Sequence, residues 1–179
     1  MTSRLAALLA SAALLALPAF ASPISVSEAF SLPESQVEAS IEDSHPSIAV
    51  AYAKRLFEAG RKDDAVMWFY VGQLRYRFHL LANPNLSPGG DPALMASLNA
   101  TIGQAINEWA GGSPKAWMRS IDKALAWDAA HPDKLTSRQT HAAEWEQVRR
   151  GLEGLRGDIQ RNESQIRENR ARAGLENRD

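Results

Sequence analysis

Four histidines, at positions 45, 79, 131 and 141, are the side chains of this sequence best suited to chemistry near neutral pH. None stands in a His-x-x-x-His or His-Glu-x-x-His pair, the spacings that bring two imidazoles to one helical face for zinc. Asp128 and His131 lie three apart, as do His141 and Glu144. Each pair suits a hydrogen bond near a helix end, or half of a metal site. Asp63-Asp64 are the residue type for general acid–base catalysis, but they fall where a helix should start, and negative charge is stabilised there. The chain has no cysteine, which removes thiol nucleophiles, thiolate ligands and disulfides. No serine sits in a nucleophile elbow, and no glycine-rich loop has phosphate-binding spacing. The sequence thus assigns no catalytic residue, no cofactor and no metal ligand, and the protein is expected not to be an enzyme.

Binding chemistry is better represented. Arg75-Tyr76-Arg77-Phe78-His79 is a compact cationic and aromatic cluster, and there are five tryptophans, at 68, 109, 117, 127 and 145. Most of these tryptophans fall on apolar helical faces, but Trp127 is turned aside from Ile121 and Leu125. Tryptophan, tyrosine and arginine dominate binding hot spots. Arg75, Tyr76, Arg77 and Trp127 are therefore the predicted partner-binding residues, rimming one groove for a protein or peptide.

The elements that must position them are helical. Ala49, Tyr52, Ala53, Leu56 and Phe57 form one apolar stripe, and Ala65, Val66, Trp68, Phe69, Gly72 and Tyr76 form a second. Their steps of three and four are the helical period, and Gly60-Arg61-Lys62 makes the turn between them. Gly60, Ala65, the aromatic pair Trp68-Phe69 and the small residue Gly72, within the phrase AVMWFYVGQ, resemble the helix-turn-helix of tetratricopeptide and Sel1-type repeats. The resemblance covers one unit, about residues 47–80, with no second copy in the chain. It implies a helical hairpin used for protein binding and no catalytic residue.

Beyond the hairpin, ANPNLSPGGDP is a loop by its density of Asn, Pro and Gly. Asp91-Pro92 predicts a helix start with Asp91 as N-cap. The helix carries Leu94, Leu98, Ile102, Ile106 and Trp109 on one face and ends at Gly111-Gly112. Ser113-Pro114 starts the next helix, with Trp117, Ile121, Ala124 and Leu125, which stops at His131-Pro132. From Ser137 to about Ala173 the sequence predicts one long charged helix. Its seam of Trp145, Val148, Leu152, Leu155, Ile159 and Ile166 has heptad spacing. Gly151, Gly154 and Gly157 weaken it, each by about 1 kcal/mol relative to Ala, so its second half is expected to project and to offer a surface for self-association. The fold class is all-α: antiparallel helical hairpins packed as a small bundle, with a long charged C-terminal helix.

Residues 1–21 have the pattern of a secretory signal peptide: Arg4, an apolar run from Leu5 to Leu17, and Ala19-Phe20-Ala21 for cleavage. That run is shorter than the ~20 residues of a spanning helix, so no membrane anchor is expected after cleavage, and the expected location is the bacterial periplasm or, after secretion, the exterior. The remainder divides into an acidic N-terminal arm (22–46), the helical bundle (47–150) and the charged C-terminal helix (151–179). With 20 basic and 21 acidic residues the chain is nearly neutral, which leaves no electrostatic footprint for nucleic acid. The predicted function is an exported protein-interaction module. Two other classes fit the same features: a periplasmic immunity protein that neutralises an envelope-targeting toxin, and an enzyme acting on cell-wall polymer, which would need two carboxylates across a cleft.

Overall fold

The computed structural model describes residues 22–178, and the signal peptide expected at 1–21 lies outside them. The described residues are helical, and no strand occurs among them. The predicted hairpin is present as α3 (Ser47–Glu58) and α4 (Lys62–Ala82). Gly60, with φ at +83°, turns the chain between them through a conformation that a side chain disfavours. The two helices touch at Gly72, where a Cβ would come within 2.6 Å of Val50 Cγ2 and 3.2 Å of the Val50 amide nitrogen. α4 is buried on nearly every face, from Ala65 to Phe78. It is the central helix of the bundle rather than an amphipathic surface helix.

The N-terminal arm is a docked strap. It forms α1 (Val26–Ser31), opened by a capping box between Ser25 and Glu28, and α2 (Glu34–Ser40). Ala29, Val37 and Ile41 enter the core. Arg55 donates to the carbonyls of Ala29 and Leu32, at 3.2 and 2.7 Å, and Tyr52 donates to Glu38 at 2.8 Å.

The single helix expected after the loop is three pieces: α5 (Asp91–Leu98), a π-helical turn (Asn99–Gly103) and α6 (Gln104–Gly111). The widened turn places Gly103 against Phe69, where a Cβ would lie 2.8 Å from Cζ, and lets Gln73 donate to Asn99 Oδ1. The helix cap is Gly90 and not Asp91, which occupies the first helical position and points its carboxylate elsewhere. α7 (Pro114–Ala130) starts as expected, the Ser113 hydroxyl accepting from the Ala116 amide at 3.2 Å.

The long C-terminal helix is also divided, into α8 (Ala142–Arg161) and α9 (Glu163–Arg172). Asn162 makes the break: its backbone leaves the helical region and its side chain donates to the Asp158 carbonyl at 2.8 Å. The second half does not project. Arg170 donates to the Glu108 carbonyl at 2.7 Å, the Arg178 amide donates to the Gly112 carbonyl at 2.7 Å, and the Arg178 guanidinium lies 3.3 Å from the Trp109 ring centre. Ile166 packs on the chain's own core, so the seam predicted for self-association is turned inward. No described helix is long and apolar enough to cross a membrane.

Candidate functional site

The four residues predicted to rim one groove are placed in three different locations. Arg75 and Arg77 are two positions apart on α4, about 200° around its axis, and therefore face away from each other.

Arg77 is exposed and overhangs a cleft of about 210 Å³ between α4, the π-helical turn and α8. Phe69, Leu74, Leu152 and Leu155 give the cleft its apolar wall, while Gln73 and Asn107 contribute amides. Tyr70 also lines it, accepting from Trp117 Nε1 at 2.8 Å and donating to Asn107 at 3.0 Å. Burial pushes the Tyr70 phenol up to about 12, against the opposing effects of Trp117 and Arg77, so it works as a neutral hydrogen-bonding group. Arg77 makes no ion pair among the described residues. Gly151 closes one edge of the cleft, and a Cβ there would meet nothing within 4 Å.

Arg75 is buried, with 2 % of its surface exposed, and so cannot rim a groove. Its guanidinium donates to the carbonyls of Ile41, His131 and Pro132, each at 3.0 Å, and lies over Trp127 at 4.6 Å. Asp128, wholly buried, faces it at 3.5 Å and also accepts from Arg138 at 2.7 Å, Trp145 at 3.0 Å and Arg149 at 3.4 Å. Burial pulls the Arg75 pKa down, opposed by Asp133 and Asp128. Trp127 is only half-buried, stacked on His131 at 4.3 Å and edge-on to Trp68. Trp127 and Arg75 thus form an internal node that ties the strap, α4, α7 and α8 together. The expected pairing of Asp128 with His131 does not occur: Asp128 serves the arginines, and His131 Nδ1 bonds the Trp127 carbonyl at 2.7 Å.

Tyr76 is fully buried and lies in a third place, where it meets His45, His79 and Asp91. His45 Nε2 is 3.3 Å from Asp91 Oδ1, and His79 Nε2 is 3.2 Å from Asp91 Oδ2. Behind them, His45 Nδ1 contacts Ser47 Oγ at 2.8 Å and His79 Nδ1 contacts Thr136 Oγ1 at 3.0 Å. Burial holds the His45 pKa below its ordinary value, although Asp91 opposes this. Burial also raises the Tyr76 phenol, and the charge of Asp91 adds to the effect. The Tyr76 hydroxyl nevertheless faces the Asp91 carboxylate without reaching hydrogen-bond geometry.

Sequence spacing missed this cluster because His45, His79 and Asp91 come from the turn before α3, the last turns of α4 and the first residue of α5. The one available signal was a histidine before a helix and an acid after a long loop, which is too common to stand out. Asp63 and Asp64 lie in the first turn of α4, where Asp63 accepts from Trp109 Nε1 and Asp64 from Arg61. No protein-family model, curated protein or solved structure matches this chain.

Proposed function

We propose that this chain is an exported, periplasmic helical interaction protein that acts by binding a protein or peptide, not by catalysis, and that its central hairpin is a single tetratricopeptide/Sel1-like unit. The observation that carries the reading is the cleft beside Arg77. An apolar wall, a rim of amides and one cation without an internal counter-charge suit a segment that presents an apolar side chain next to a carboxylate. At about 210 Å³ the cleft is smaller than the roughly 300–1,000 Å³ typical of cofactor pockets. That favours one or two side chains of a larger partner over a whole small molecule.

The experiment is affinity capture from the periplasmic fraction with the wild-type chain, with Arg77→Glu and with Gly151→Leu. Both substitutions are at exposed positions. Gly151→Leu fills the cleft and also removes a helix-weakening glycine, so it is expected to keep or raise stability. Loss of one partner by both variants, with unchanged circular dichroism, is the expected result. A partner retained by both would refute the cleft, and recovery of the chain in the cytoplasm with its leader uncleaved would refute export.

A further inference from the structure

The cluster of His45, His79 and Asp91 stands apart from the cleft and is independent of the reading above. Its distances are long for charge-assisted hydrogen bonds, and only His79 Nε2 to Asp91 Oδ2 falls within the ordinary hydrogen-bond range. A charge-assisted N–H···O bond closes to about 2.7–2.9 Å, whereas the two Nε2 to carboxylate separations here are 3.3 and 3.2 Å. Donors bound at about 2.0–2.1 Å to a tetrahedral ion stand about 3.3 Å from one another. Each observed separation matches one edge of a coordination tetrahedron, and because the two run to different carboxylate oxygens, Oδ1 from His45 and Oδ2 from His79, a shared ion takes one of these oxygens and draws the other imidazole toward it.

Two polar atoms at the same spot are orphaned. His45 Nε2 is buried without a hydrogen bond, and so is the hydroxyl of Tyr76, a residue with 0 % of its surface exposed. Each imidazole is also held from behind by a hydroxyl, Ser47 Oγ or Thr136 Oγ1. In this structure the Ser47 amide donates to His45 Nδ1 at 3.3 Å, which puts that ring's proton on Nε2. With an ion on Nε2 the proton sits on Nδ1 instead, and the hydroxyl behind it accepts. This is the outer support that metal-ligating histidines commonly have.

The geometry points to a binding site for one divalent transition-metal ion of the zinc class, held by His45 Nε2, His79 Nε2 and the Asp91 carboxylate. Two imidazoles with one carboxylate suit such an ion, whereas magnesium and calcium take oxygen donors throughout. The three donor atoms lie within 4.8 Å of one another, so binding draws the two nitrogens together by up to about 1.5 Å. Binding also releases the longer approaches to Nδ1, from the Ser47 amide at 3.3 Å and from Asn83 Nδ2 at 3.4 Å. The side chains of His45, His79 and Asp91 are 31, 12 and 26 % exposed, which leaves a path of entry. The ion, or a water on its remaining position, supplies the partner that Tyr76 lacks. It ties the turn before α3 to both ends of the 83–90 loop.

The test strips the purified chain with a chelator and titrates it with Zn²⁺ by calorimetry and with Co²⁺ by visible absorption. One ion per chain, the intense bands of tetrahedral Co²⁺ and a rise in the thermal midpoint are expected. Asp91→Asn and His45→Ala/His79→Ala should weaken Zn²⁺ binding by about 100-fold or more, and Tyr76→Phe by about 10-fold, since loss of an outer-shell partner alone typically costs 10–100-fold. The near-isosteric Asp91→Asn carries the test if the double variant loses its circular dichroism. Stoichiometric binding retained by a folded Asp91→Asn or double variant would place the ion elsewhere, on His131 or His141, and overturn the assignment. Absence of Zn²⁺ binding to the wild-type chain would overturn it equally.

Discussion

Replacing Asp128 by Asn keeps the side chain's shape and removes the charge on which three guanidinium groups converge. Asp128 is wholly buried, and Arg75 beside it is 2 % exposed, while Arg138 and Arg149 each retain 16 %. Breaking a buried ion pair by removing one partner costs about 3–5 kcal/mol, because the remaining charge is left uncompensated. Here the cost falls mainly on Arg75. Arg138 and Arg149 reach solvent and recover some hydration, which places the expected loss near the lower figure, about 3 kcal/mol. For a domain of this size that is a fall in thermal midpoint of about 6–12 °C. Urea unfolding at neutral pH, followed by tryptophan fluorescence and far-ultraviolet circular dichroism, measures it. In an Arg75→Met background the same substitution should lose much less, since the charge it exposes is already gone. A loss below about 1 kcal/mol, or an equal loss in both backgrounds, would refute the picture of a mutually dependent node.

Two further expectations rest on local geometry. Gly72→Ala should destabilise by about 2 kcal/mol: the overlap with Val50 costs about 3 kcal/mol, the upper end for overpacking, and about 1 kcal/mol returns as helix propensity. A denaturation midpoint at or above wild type would show that α3 simply moves aside. Asp133→Asn keeps an oxygen for the amides of Leu135 and Thr136 and removes a carboxyl whose pKa burial raises above 3.8 in spite of Arg75 and Arg138. The folded carboxyl takes up its proton at higher pH than the unfolded one. The wild type should therefore gain stability relative to the variant as pH falls from neutral toward 3.8. Urea midpoints of the two proteins at neutral pH and at about pH 4.5 decide this, and a gap that does not change with pH counts against it.

Local grammar in the sequence was enough to place most helices. The Gly60 turn, the Asn- and Pro-rich loop and the Ser113-Pro114 start each rest on a few adjacent residues, and all three are where they were expected. Apolar spacing alone could not place the π-helical turn, because the contact it serves, Gly103 against Phe69, is made with another helix. The same limit applies at Asn162: the heptad pattern continues to Ile166, while the chain turns back so that Arg170 and Arg178 can reach carbonyls at the end of α6. Among the binding residues, Arg77 kept its exposed place on α4. Arg75 and Tyr76 appeared to be surface groups because arginine and tyrosine usually are, yet the carbonyls that make the burial of Arg75 tolerable lie far away in sequence, and so do the residues that enclose Tyr76. Composition carries no trace of such pairings. The convergence of His45, His79 and Asp91 was hidden for the same reason.

The Arg75 node also bears on how the chain would come apart. Its three carbonyl partners are 34, 56 and 57 residues away, so each bond closes a long loop and can form only once α4, α7 and the strap are already assembled. Contacts that form after the rate-limiting step leave the folding rate nearly untouched and act on the reverse reaction. The node should accordingly behave as a latch, setting how long the folded chain persists more than how fast it is reached. In stopped-flow chevrons of Asp128→Asn the unfolding limb should carry most of the change. A folding limb that slows by a comparable amount would mean that the latch closes early and helps to nucleate the bundle.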